Sequence, residues 1–223
     1  MLDGSGTITQ ENFKNTQKFV NSIQATIGLS NNHNKAAVVT YGDYAKPEIK
    51  CNSYSDIYKF KSAVNGLKKH GERTNTRDGL EKAQELLSSN GCGEEGVQKI
   101  IVLLTDGIAN LGLGNEKGLI EATKAIQESG TIILVVAVGQ FSDHQLKKMV
   151  HSDRIYRTTA DKDGFVALIE HEFVLKVKKA ICGSIKPKKG LFVYFNLQFH
   201  FFLKEIVSCF IVNALLIFID VWG

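Results

Sequence analysis

Apolar positions along the chain follow two periods that take turns. Phe13, Phe19, Val20, Ile23 and Ile27 fall on one face of a helix over about residues 10–28. Lys35–Tyr41 (KAAVVTY) is a β-rich run, and Lys46–Cys51, beyond Gly42-Asp43, reads as its antiparallel hairpin partner. Ile57, Phe60, Val64 and Leu67 space out a second helix over Ser55–Leu67. A polar loop, Lys68–Asn75, leads to a third over about residues 76–89.

The next segments are more apolar. Lys99–Thr105 (KIIVLLT) and Thr131–Val138 (TIILVVAV) are continuous runs, as expected of parallel strands buried on both faces. Asn115–Ser129 between them is helical. A short helix near Asp143–Val150, a strand near Arg154–Thr158 and a helix over about residues 163–181 complete the series. The last helix carries Phe165, Leu168, Ile169, Phe173 and Val177. This alternation predicts an α/β fold: a doubly wound, mostly parallel sheet with one antiparallel edge strand and helices on both faces.

Residues 190–223 break the pattern. Gly190–Leu203 is crowded with Phe and Leu, Lys204-Glu205 interrupt it, and Ile206–Ile219 is apolar again. The second run falls short of the roughly 20 residues that span a bilayer, and reading through both would bury Lys204, Glu205 and His200. The chain therefore divides into a domain over residues 1–183 and a basic linker with a hydrophobic tail over 184–223. A poor membrane anchor, an extra hydrophobic element and an aberrant splice or read-through product all remain open for the tail, and the last is favoured.

Composition narrows the function. With 223 residues, 43% apolar and 22% charged, the chain is long enough for one core without staples. The formal charge of +4 is mild and the basic residues are scattered, which argues against nucleic acid. Cys51, Cys92, Cys182 and Cys209 lack zinc-ligand spacing, and Cys51 with Cys92, both expected toward one end of the sheet, reads equally as a disulfide or a thiol pair. Met1 runs directly into the first motif, with no signal peptide ahead of it.

That motif, Asp3-Gly4-Ser5-Gly6-Thr7, packs one carboxylate and two hydroxyls into a glycine-loosened turn. Such hard oxygen ligands suit Mg²⁺ or Mn²⁺. In a doubly wound sheet, ligands bind outside the carboxyl ends of the strands. Two more turns should open on that edge: Gly71-Glu72-Arg73-Thr74-Asn75-Thr76 and Leu104-Thr105-Asp106-Gly107. Taken singly, each has a plainer reading as a helix cap or a turn.

Taken together and in order, the DxSxT turn, the GxxTxT loop and the hhhTDG turn resemble the metal-ion-dependent adhesion site of the von Willebrand factor A domain family. Integrin inserted domains, matrilins and collagen-associated A domains share it, and the resemblance covers about residues 1–183. It implies metal ligands at Asp3, Ser5, Thr7, Thr74 and Asp106, with Thr7 standing where the family usually has serine. It also implies a non-enzymatic, extracellular or cell-surface adhesion domain. A protein ligand's Glu or Asp would complete the shell around Mg²⁺ or Mn²⁺, with collagen or another matrix protein among the candidate partners. Cys182 resembles a family cysteine whose partner, ahead of the first strand, is absent here. An integrin-type extra helix is not evident after Gly107, which tilts the reading toward a matrix protein.

Two rival functions stay in view. Leu2–Thr7 also resembles the nucleophile loop of haloacid dehalogenase-like phosphatases, although Ser5 occupies the place of their general acid. An A-like assembly module without metal is the other. In the family the strand before the first motif is central and apolar. Here it is largely missing, so the chain is expected to be a fragment that exposes a hydrophobic groove and folds poorly alone.

Overall fold

The computed structural model describes residues 1–6, 8–29, 34–89, 91–92, 97–106, 115–139, 142–158 and 164–184. Thr7, the Gly107–Gly114 stretch, Cys209 and the tail lie outside the described residues. Six strands form one sheet: β1 (Leu2–Asp3), β2 (Val38–Tyr41), β3 (Ala45–Ile49), β4 (Ile100–Thr105), β5 (Ile132–Ala137) and β6 (Ile155–Arg157). Their order is β3-β2-β1-β4-β5-β6, and every pairing is parallel except β2 with β3. The expected doubly wound sheet with one antiparallel edge strand is therefore present.

Period-two alternation divides the sheet's side chains between two cores. Along β5 and the residue after it, Leu134, Val136 and Val138 join one buried cluster, while Ile133, Val135 and Ala137 join the other. The first core lies under α1 (Gln10–Ile27), α2 (Ile57–Asn65), α6 (Gly164–Ala167) and α7 (His171–Gly183). The second lies under α3 (Thr76–Ser88), α4 (Asn115–Glu128) and α5 (Asp143–Met149). Helix α1 shows the local logic. Thr9 Oγ1 caps it by accepting from Asn12 N–H at 3.1 Å, and Gly28, at φ +84°, ends it. Between them Phe13, Phe19 and Ile23 are buried, each side chain contributing about 1.5–3 kcal/mol of transfer free energy.

The final helix differs from expectation. The periodicity predicted one helix over 163–181, but the backbone turns between α6 and α7, and Glu170 takes an extended conformation at φ −65°, ψ 137°. Ile169 and Glu170 N–H close short turns onto Val166 and Ala167 carbonyls. The break turns Leu168 fully inward and lets Phe165, Val174, Val177 and Ile181 all reach the first core. Packing overrides an unbroken helical ladder.

Strand β1 is two residues long yet sits at the centre of the sheet. Leu2 pairs with Thr40 on one side and Leu104 on the other, and the Met1 nitrogen donates to Val102 O at 2.7 Å. Beyond it, between β2 and β4, an apolar cleft of about 280 Å³ is bordered by Met1, Val38, Ile101, Val102 and Ile181. Among the described residues, no helix is long and apolar enough to cross a membrane.

Candidate metal centre

The chain reverses winding direction between β1 and β4, which leaves a crevice at their carboxyl ends. Asp3 ends β1 and Asp106 follows β4, so the topology brings together two carboxylates more than 100 residues apart in sequence. Asp3 and Ser5 have no exposed surface and Thr74 only 1%. The Ser5 N–H donates to Asp3 Oδ1 at 3.0 Å, and the Thr105 hydroxyl donates to Asp3 Oδ2 at 3.4 Å.

Burial pushes the Asp3 carboxyl up from 3.8 to about 6, and the charge of Asp106 pushes the same way. Hydrogen bonds from Ser5 and Thr105 only partly offset this. The neighbouring Tyr41 phenol, also buried, is held well above its ordinary value first by desolvation and then by Asp3. A site that sets two like charges together out of water favours an added cation.

The plainer readings of the motifs lose ground to the capping geometry. Helix α1 is capped by Thr9, not by the Asp3–Gly6 turn. Helix α3 is capped by Asn75, whose side chain accepts from Asp78 N–H at 3.2 Å, so neither Thr74 nor Thr76 is spent on that role. Asp3 and Asp106 thus stand near one another, while Ser5 and Thr74 are buried and serve as neither helix's cap. Among the described residues no group of three His, Cys, Asp or Glu side chains is placed to hold a metal. Buried hydroxyls stand beside the two carboxylates instead, an all-oxygen environment of the kind that suits a small hard divalent cation.

Three supporting residues carried no sequence signal of their own role. The Lys69 ammonium donates to Ser5 O at 3.3 Å and Ile8 O at 2.6 Å, pinning the first loop to the second. Asp43, read only as part of a turn, accepts from Glu72 N–H at 3.1 Å and from Arg73 N–H and Nε at 3.2 and 3.0 Å. The Arg73 guanidinium in turn holds the Asp43 carboxyl below the usual carboxylate range. Tyr41 anchors the two central neighbours, its hydroxyl donating to Leu104 O at 2.9 Å.

These contacts need a very close approach. A Cβ on Gly42 would lie 2.1 Å from His70 O, and Gly71 adopts φ +83° against the Asp43 backbone. The loop also ties itself to both sides of the crevice, through Gly6 N–H to Glu72 O at 3.2 Å and Asn75 N–H to Gly42 O at 2.8 Å.

Comparison with known proteins accords with this architecture. The family model of the von Willebrand factor type A domain matches residues 1–170. The collagen alpha-5(VI) chain of Mus musculus is 28% identical over 205 residues, covering 85% of this chain and 8% of its own length. Matrilin-1 of Gallus gallus is 23% identical over 150 residues, covering 67% of this chain and 29% of that protein. The chain therefore spans a small part of these relatives.

Among solved structures, proximal thread matrix protein 1 from the mussel byssus, with a zinc-occupied MIDAS motif, superposes with a TM-score of 0.68 at 19% identity. The match covers 81% of this chain and 46% of that one. Manganese-loaded Plasmodium vivax TRAP protein gives 0.58 at 20% identity, covering 78% and 70%. At these identities the likeness speaks for the fold. With three quarters of its length matched by the family model, the chain belongs to the von Willebrand factor type A domain family.

Proposed function

We propose that residues 1–183 form a non-enzymatic adhesion domain of the extracellular matrix or cell surface. Asp3, Ser5, Thr7, Thr74 and Asp106 would hold Mg²⁺ or Mn²⁺, and a protein ligand's Glu or Asp would complete the coordination. The observation that carries this reading is the pair Asp3 and Asp106, brought together among buried hydroxyls at the carboxyl edge of the sheet. The cation supplies an under-neutralised positive centre, because most of its ligands are neutral oxygens.

The chain's own residues do the rest. Asp3 and Asp106 provide the charge. Lys69 and the Asp43 clamp fix the two loops before any ligand arrives, which lowers the ordering cost of binding. Kinship with collagen VI and matrilin supports a matrix partner, and the disulfide between Cys51 and Cys92 suits an oxidising compartment.

Calorimetric titration with Mn²⁺ of the wild type, Asp3→Ala and Asp106→Ala tests the site. Saturable 1:1 binding in the wild type and its loss in both variants is expected. Equal binding by all three proteins removes the site. An acidic matrix ligand captured with Mn²⁺ and released by EDTA is the corresponding test of adhesion.

A further inference from the structure

Strand β4 has one side that β1 covers only in part. Leu104 N–H donates to Met1 O and the Met1 nitrogen to Val102 O, so even-numbered β4 residues turn their backbone toward β1. Odd-numbered ones face β5, where Lys99 O and Thr105 O accept from Ile132 and Val138 N–H. Past β1 the even side continues as the Val102 N–H and both backbone groups of Ile100. No strand among the described residues lies opposite them. Backbone groups facing an apolar space are costly until another segment pairs with them.

That space is the cleft of about 280 Å³ between β2 and β4, far larger than the voids a packed interior leaves. Its walls come from both cores: Phe19, Ile23 and Ile181 from the first, Ala83, Leu86 and Ile101 from the second. An occupant pairing with β4 must be extended and apolar on both faces, which excludes an amphipathic strand.

Cysteine pairing supplies the occupant. Among the described residues no cysteine is free: Cys51 bonds Cys92, and Cys182 is disulfide-bonded as well. Of the four cysteines in the sequence, only Cys209 is left to pair with it. Cys182 directly follows Ile181 of the cleft wall and is itself buried. A disulfide holds its two Cα atoms about 4.4–6.8 Å apart, which brings the chain around residue 209 to the cleft's edge. Phe210, Ile211 and Val212 come next, β-prone and apolar at every position. The earlier tail segment 195–201 is a poorer match, because Asn196, Gln198 and His200 would line one of its faces. Residues 183–208 supply ample chain for the return.

We propose that the tail latches onto its own domain. Cys182 is bonded to Cys209, and Phe210, Ile211 and Val212 lie extended in the cleft, pairing with Ile100 and Val102. The bond forms by thiol–disulfide exchange: a small-molecule disulfide takes two electrons and two protons from the thiols and leaves as two thiols. The latch lies at the amino ends of β2 and β4, the opposite edge from the proposed cation.

The test combines non-reducing peptide mapping with amide exchange by NMR on the oxidised full chain. Trypsin should release peptides 180–188 and 205–223 joined to one another, and Cys209→Ser should lack the joined pair. The Ile100 and Val102 amides are expected to exchange about tenfold faster, or more, in Cys209→Ser. Phe210→Ser/Val212→Ser should show the same gain with the disulfide retained. The Ile101 and Leu103 amides, which face β5, should keep their rates in both variants, which separates a lost cover from a lost fold. Absence of the 182–209 linkage, equal rates at Ile100 and Val102 in all three proteins, or equal acceleration at Ile101 and Leu103 would each overturn the proposal. Protection that rises with protein concentration would do so too, because it would put a second copy in the cleft.

Discussion

Asp3 carries the tension of the site in one side chain. It is wholly buried beside a second carboxylate, and its raised value of about 6 means that ionising it in the metal-free fold costs more than in the unfolded chain. A carboxyl raised in the folded state costs stability as pH rises from its unfolded value of 3.8 to about 6, and the cost stays constant above that. The shift amounts to roughly 3 kcal/mol. In EDTA, Asp3→Asn is therefore expected to be more stable than the wild type at neutral pH, with the two converging near pH 4 in urea denaturation. A wild type that is the more stable protein at pH 7 without metal would contradict this. That Asp3 and Asp106 meet at one sheet edge was legible, because short motifs fix their order and spacing after predicted strands. The roles of Lys69 and Asp43 were not, since a lysine or aspartate in a polar loop looks the same whether it clamps a neighbour or only faces water.

The elements place those residues, and two of their contacts are open to direct measurement. The Cys51–Cys92 disulfide joins the end of β3 to the segment after α3 across 41 residues, a closure worth about 4 kcal/mol by chain entropy. Cys51→Ser/Cys92→Ser is expected to lose about 2–4 kcal/mol in guanidinium unfolding. An unchanged midpoint would show that the bridge constrains nothing. Sequence spacing left this pair open between thiols and disulfide, because pairing depends on a Cα separation (5.4 Å here) that only the fold sets. The hairpin turn is the other contact. Gly42→Ala would force the 68–75 loop off the β2–β3 turn, at about 1–3 kcal/mol, and should weaken Mn²⁺ binding as well. Helix positions were read correctly from period alone, but the split between α6 and α7 was not. Its apolar residues fit one helix equally well, and the core contacts that break it are long-range.

At the scale of the whole molecule, alternation of the two periods was enough to specify the sheet, its single antiparallel edge and the crevice where β1 meets β4. The short first strand, expected from the motif's closeness to Met1, leaves little of β1 to join the halves. Leu2 and Asp3 are the seam between β3-β2 and β4-β5-β6, with the apolar cleft beside it. The proposed ligands fall on both sides of that seam: Thr74 in the loop bound to the β2–β3 turn, Asp106 after β4, and Asp3 on the seam itself. A cation held there is expected to act as a mechanical rivet. Saturating Mn²⁺, at about 100 times its dissociation constant, would add about 2.7 kcal/mol against global unfolding. Hydrogen exchange by mass spectrometry should show Val38–Tyr41 and Ile100–Thr105 gaining protection in step, whereas gains confined to one side would mean the halves are not coupled. A domain built this way would couple adhesion to tensile strength: removing the cation would release the partner and loosen the sheet's central seam in one event.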